Sequence, residues 1–420
     1  MVGRLFACIC IGIVTTLVTQ AAPRSAFPMP RLAATCTHTA VRKDVTTLGQ
    51  AELERFIRVI KEMHRRGWMD GFGSMHDHIS HQIHGNEHFF AWHRRFLRHF
   101  EILMQEIDPD VVLPYWNWGT AWQNPMVDPV LSSAFFGGNG RPGDNCVIDG
   151  AEERWGRNYP TRNCLTRKFR YGTTTGAFWP MRAVRDVMNS ARTHAQFRSR
   201  IENGAHGIVH LGLGGDFETM WAPVDVLFFL HHAMIDKIWA EWQSRDPSRY
   251  RSVDGYDASR QAITTQTLMP FYGENVGSAL VTNAAGYCYV YDDVPGPPAA
   301  FMVKRNEVLA MNVPFNVTVE AEPDVGPEAE ADAEGEAEAQ TGTAEKAPDA
   351  FYRFGGNSMM GFKADEDFKP PSPMDTDWLK SRNMDVEEAQ RMQQLVDDVV
   401  AQINAERRQS RVANEPQKQV

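Results

Sequence analysis

Apolar residues recur at helical spacing in four stretches of this chain. Over residues 51–63 they fall at Leu53, Phe56, Ile57 and Ile60, one face of an amphipathic helix. Residues 88–107 continue in the same way and stop before Asp108-Pro109, a pair that ends helices. Residues 183–201 and 225–243 supply two more helices. Together the four predict a mainly α protein, an antiparallel four-helix bundle with long loops and few short strands. The Gly- and Pro-rich residues 118–178 read as loops over that bundle, and the aromatics of Pro114-Tyr115-Trp116-Asn117-Trp118 as core packing. A further pattern, Val386, Ala389, Met392, Val396, Val399 and Ile403, predicts a helix over residues 385–403.

Polar and charged residues divide the chain. Arg4, the apolar run of residues 5–18 and Thr19-Gln20-Ala21 together read as a secretory signal peptide, residues 1–21. That run is too short for a membrane span, and no later stretch reaches about 18 apolar residues, so no membrane association is expected once it is removed. Residues 22–293 form one large domain and 294–319 a connecting segment. Residues 320–350 are an acidic low-complexity linker, and 351–420 a C-terminal extension with the last helix. Residues 320–346 carry ten acidic residues and one lysine, net −9 of the chain's −10, which leaves −1 for the rest. The acidity therefore belongs to the linker and says nothing about a substrate. No basic stripe suggests nucleic acid.

Of six cysteines, Cys8 and Cys10 leave with the signal. An even set of four in a secreted chain suggests disulfides, with three possible pairings. Cys146 and Cys164 bracket a polar loop and are expected to pair. Asn316-Val317-Thr318 is a glycosylation sequon.

Six of the fourteen histidines form two clusters: His76, His84 and His93, then His206, His210 and His232. His206 and His210 are four apart, so on a helix they share one face and can grip one ion. No Glu stands beside His206 as a zinc protease would need, and no Cys lies near either cluster for a thiolate zinc site. Imidazoles alone favour copper or iron over magnesium or calcium. Two sets of three suggest two metals, each with positions left open for a substrate or dioxygen. His231 and His232 cannot both face one ion, because adjacent helical positions point about 100° apart. Asp225 and Asp236 are candidates to orient an imidazole through its second N–H.

Two strings carry a resemblance. The first is Phe89-Phe90-Ala91-Trp92-His93-Arg94-Arg95-Phe96. The second runs from His206 through His210 and Ala222-Pro223-Val224-Asp225 to Phe228-Phe229-Leu230-His231-His232 and Asp236. Both resemble the copper A and copper B motifs of the tyrosinase, catechol oxidase and molluscan haemocyanin family. The resemblance implies two copper ions, one on each histidine cluster, with O2 as co-substrate. In that family the second His of the pair is the ligand, which assigns His232. The segment Ile60-Lys61, Gly67, Asp70, His76 matches the family's approach to its first ligand, a His closing a helix, with His78 as a rival. His64 is read as a surface residue, and His81, His88 and His99 as either supports behind the ligands or structural residues.

Other site residues follow from the same resemblance. Phe197 to His206 is similar to the segment in which a Glu holds a water over the site, which points to Glu202. Gly207 stands where many monophenol hydroxylases have Asn, and Leu211 is apolar and cannot act as a base. Both are expected to line the pocket on the copper B side. They favour diphenol oxidation and leave monophenol hydroxylation open. Gln82 stands where some relatives carry a Cys cross-linked to a ligand, so no thioether forms. An Arg near the start of the family's core pairs with a Tyr-x-Tyr element at its end. Here that means Arg42 with Tyr287-Cys288-Tyr289 or Tyr289-Val290-Tyr291, which would bring Cys36 near Cys288.

The implied activity is a secreted copper phenol oxidase acting on a small phenolic substrate. The rivals are a haemocyanin-like dioxygen carrier with the same six histidines and a scaffold without copper. Fungal relatives often carry an extension that shields the copper site, and residues 351–420 are either such a shield or a packing helix. The oligomeric state is not legible.

Overall fold

The computed structural model describes residues 27–284, 286–298 and 366–414. The signal segment, the acidic linker and the sequon at Asn316 lie outside them. The fold is mainly helical, as the apolar spacing predicts.

Helix α1 (Gln50–Arg65) buries Phe56, Val59, Ile60 and Met63, and the Glu52 carboxylate accepts the Gly49 N–H at 3.0 Å to close its first turn. Gly67, left-handed at φ 75°, turns the chain directly into α2 (Trp68–Ile83). Periodicity did not mark α2 because glycines, aspartate and histidines interrupt its buried Trp68, Met69, Phe72 and Met75. Helix α3 (His88–Ile107) ends where Asp108 turns extended ahead of Pro109. The single helix expected over 183–201 is two, α4 (Met181–Ser190) and α5 (His194–Ile201). Thr193 caps the second by accepting the Gln196 N–H, a local hydrogen bond that outcompetes continuation. Residues Glu202–His206 then form one π turn, and α6 (Gly207–Leu213) continues from it. Such turns are rare and cluster at functional sites. Helix α7 (Leu227–Ser244) is buried on nearly every side, as a central helix must be.

Four short strands complete the core: β1 (Ala40–Arg42), β2 (Gly156–Arg157), β3 (Asn163–Cys164) and β4 (Tyr289–Tyr291). β2 and β3 pair antiparallel within the loop region, beside the Cys146–Cys164 disulfide. β1 pairs in parallel with β4, Ala40 opposite Tyr289, and Cys36–Cys288 closes the same junction. The two ends of the large domain thus meet. The buried Arg42 lies 3.5 Å over the Tyr289 ring and donates to the Tyr291 hydroxyl at 3.4 Å, so the tyrosine pair is Tyr289 and Tyr291. Its other edge pairs with Glu101 at 2.8 Å. The disulfide spans 252 residues of sequence, and replacing Cys36 and Cys288 by Ser should cost roughly 2–5 kcal/mol. Urea unfolding followed by tryptophan fluorescence checks this. An unchanged midpoint would mean that the strand pair and Arg42 hold the junction unaided.

The extension contributes α8 (Thr376–Ser381), capped by the Asp375 carboxylate, and α9 (Val386–Asn414). α9 runs beyond the expected residues 385–403. Phe368, Met392, Val396, Val399 and Val400 join the main core, so the extension packs on the domain rather than standing apart.

Candidate metal centre

The structure brings the two histidine clusters together from five helical segments. α2 carries His76, its C-cap is His84, and α3 carries His93. The π turn ends in His206, α6 carries His210, and α7 carries His232. All six are buried. His76 lies mid-helix rather than closing one, because α2 continues to Ile83. His78 is exposed with Nδ1 on the Ser74 carbonyl, which removes it as a rival. His64 is half-buried, stacked on Trp155 and bonded to the Gly156 carbonyl. His99 bonds to the Pro28 carbonyl and Tyr272, His88 is buried and His81 is exposed.

The imidazoles share one hydrogen-bond plan. Nδ1 faces a backbone carbonyl in five of them: Met220 for His76, Ser80 for His84, Phe89 for His93, Glu202 for His206 and Phe217 for His210. A carbonyl only accepts, so each Nδ1 holds the ring proton and each Nε2 presents a lone pair. Those lone pairs converge. Nε2 of His76 and His93 are 3.3 Å apart, and Nε2 of His210 and His232 are 3.4 Å apart. For His76 and His93 both are lone pairs, which repel at that distance unless a cation lies between them, so the donor set fits metal. Burial pushes the His210 imidazole down to about 3 and His84 to about 4, and the other four well below their ordinary range. All six are therefore neutral near pH 7, the form that binds a metal. The His93 and His232 rings stack at 4.5 Å, which sets the two trios side by side.

Two expectations need correction. Neither Asp225 nor Asp236 touches an imidazole. Arg94 and the Tyr289 and Tyr291 hydroxyls claim Asp236, while Arg167 claims Asp225, which also accepts the Leu227 N–H that opens α7. Backbone carbonyls do the orienting instead. His231 comes closer than the 100° argument implies: its ring lies parallel to His206 at 5.5 Å and within reach of the same trio. The close nitrogen approach to His210 is made by His232.

Glu202 is fully buried beside this centre. Its Oε1 accepts the Gly85 N–H at 2.8 Å and its Oε2 accepts from Arg198 at 3.0 Å. Burial pushes its carboxyl up to about 7 against the pull of Arg198. Arg198 also pairs with Glu87, which in turn accepts from His194. Charge spacing on α5 was the only sequence signal for Arg198.

Gly207 and Leu211 do not face open solvent. Leu211 packs with Trp378, Leu379, Met384 and Ala389 of the extension. Arg382 lies over the Trp378 ring at 4.8 Å and donates to the Glu218 carbonyl. After burial and local hydrogen bonding, its charge is a further influence lowering both His84 and His210, which places it near both trios. Residues 374–384 were not singled out from the sequence; their signal was Trp378, Leu379 and Met384 in an otherwise polar stretch.

A helical bundle presenting two buried imidazole trios defines a binuclear metal protein. The comparisons make the class narrower. The family described as the common central domain of tyrosinase matches residues 62–245, which include all six histidines. A tyrosinase from Streptomyces antibioticus is 34% identical over 235 residues, covering 50% of this chain and 84% of that protein. Grixazone synthase from Streptomyces griseus is 30% identical over 264 residues, covering 49% of this chain and 85% of that protein. A polyphenol oxidase mutant from Thermothelomyces thermophila superposes with a TM-score of 0.52 over 60% of this chain and 88% of that one, at 20% identity, a likeness of fold. The chain belongs to the tyrosinase family of copper oxidoreductases.

Proposed function

We propose that this protein is a secreted phenol oxidase that uses dioxygen to convert o-diphenols to o-quinones. The observation that carries the reading is the gathering of six buried imidazoles in two trios, five of them with the ring proton held on a backbone carbonyl. His76, His84 and His93 would hold one copper, and His206, His210 and His232 the other. Copper bound there would supply the redox chemistry, accepting two electrons from each diphenol and delivering them to dioxygen. Two catechols per O2 balance as two quinones and two waters. The chain's own share is to keep the imidazoles neutral, dry and aimed. Glu202, fixed by Gly85 and Arg198, would position a water above the site. Gly207 and Leu211 would form the copper B wall of the phenol pocket once uncovered.

Secretion is supported by the two disulfides, which oxidising compartments maintain. No helix among the described residues is long and apolar enough to cross a membrane.

The extension lies against that pocket wall, and we read it as a shield. Oxygen uptake by the copper-loaded chain, with catechol and with the matching monophenol, before and after limited proteolysis, tests the whole reading. Uptake with catechol after cleavage supports it. Reversible oxygen binding without uptake in any form, at two coppers per chain, would replace it with dioxygen carriage. His206→Ala combined with His231→Ala should also lower bound copper to about one ion per chain by metal analysis, since the trio of His76, His84 and His93 stays complete while His210 and His232 alone remain of the other group.

A further inference from the structure

The extension rests on two glycines that directly follow histidines of the centre. Gly85 follows His84, and Gly207 follows His206. Gly85 is left-handed at φ 67°, and a Cβ there would lie 2.0 Å from the Asn383 carbonyl oxygen. Gly207 differs. Its φ of −63° is helical, a conformation any residue adopts, so backbone geometry does not ask for glycine. Contact does. A Cβ on Gly207 would come within 2.8 Å of Met374 Sδ, 3.2 Å of Met384 Cε and 3.4 Å of Trp378 Cζ3. All three belong to the extension. By contrast, nothing lies within 4 Å of a Cβ on Gly67, which is glycine for its turn alone.

We infer that Gly207 is a docking residue: the missing side chain is the socket that seats Met374, Met384 and Trp378 of the extension over the copper B side. This rests on the reading of the extension as a shield. It gives the glycine a role separate from any choice between phenols. Leu211, one turn on, packs with the same extension side chains, so the socket is a stripe on α6. The polar anchors of the extension lie elsewhere. The Asp385 N–H donates to Asn203 Oδ1 at 2.8 Å, Arg200 meets Glu388 at 3.2 Å, and Arg170 donates to the Pro373 carbonyl at 2.7 Å. An enlarged side chain at 207 therefore loosens the seat without removing its other ties.

The test is a ratio, the rate of catechol oxidation after release of the extension divided by the rate before. The ratio cancels whatever a substitution does to the chemistry. Gly207→Asn adds a Cβ and three further heavy atoms to a filled socket and should lower the ratio about tenfold relative to wild type. Met374→Glu places a charge in the same half-buried seat from the extension's side and should lower it too. Met374→Ala combined with Gly207→Asn should move the ratio back toward wild type by making room. A large wild-type ratio that neither Gly207→Asn nor Met374→Glu changes would overturn the docking role and leave the shield intact. A wild-type ratio near one would overturn the shield and the docking role together.

Discussion

Releasing the C-terminal extension should raise the rate of catechol oxidation by about tenfold or more, because a covered site works only in the fraction of molecules that has opened. Each 1.4 kcal/mol of net docking free energy lowers that fraction about tenfold. The contacts make such a figure modest. Trp378, Leu379, Met384 and Ala389 are buried around Leu211, Phe368 meets Trp122 edge-on at 5.4 Å, and Arg182 pairs with Glu406 at 2.8 Å. The manner of activation is informative as well. A cut within residues 320–350 severs the tether but leaves every one of these contacts in place. What changes is the effective concentration, from about millimolar for a tethered segment to that of the solution. Activity should therefore appear on dilution after cutting, and disappear when the separated extension is added back. Equal rates before cutting, after cutting and after gel filtration would refute the shield.

The second large effect concerns stability. Asp236→Asn should destabilise the domain by about 3–5 kcal/mol, since it removes the negative charge that Arg94 pairs with and that Arg42 approaches at 3.7 Å. The amide keeps one oxygen, so either Arg94 or the Tyr289 and Tyr291 hydroxyls then meet an NH2 group in place of an acceptor. A fall in thermal midpoint in the absence of copper separates this from metal loss. A variant with an unchanged midpoint but weaker copper binding would return Asp236 to the orienting role that the motif suggested.

That exchange of roles shows where the sequence was legible. Apolar spacing located α1, α3 and α7, whose stripes are long and uninterrupted. It missed α2, because Asp70, Gly71, Gly73 and the polar residues after them interrupt its buried Trp68, Met69, Phe72 and Met75. It merged α4 and α5 because Thr193 acts by a single hydrogen bond that leaves no mark on periodicity. The histidines themselves stood out by residue type and spacing. Their orienting partners did not, since a backbone carbonyl has no letter in the sequence. The extension was visible as a helix, and the resemblance offered it as a shield, but the side chains that approach the site were not marked. Side chains such as Trp378 and Arg382 become informative only once the chain returns to the centre.

The carbonyl pattern around the imidazoles has an evolutionary side. An orienting aspartate can be lost in one substitution; a main-chain oxygen cannot. Ser80, Phe89, Glu202, Phe217 and Met220 can each change identity and still offer the same acceptor, provided the local backbone path survives. Drift among relatives should therefore be freer at Ser80, Phe89, Phe217 and Met220 than at the histidines they hold, whereas Glu202 is held by its carboxylate as well. In such a design, ligand geometry is inherited with the backbone, while walls, sockets and coverings vary around it.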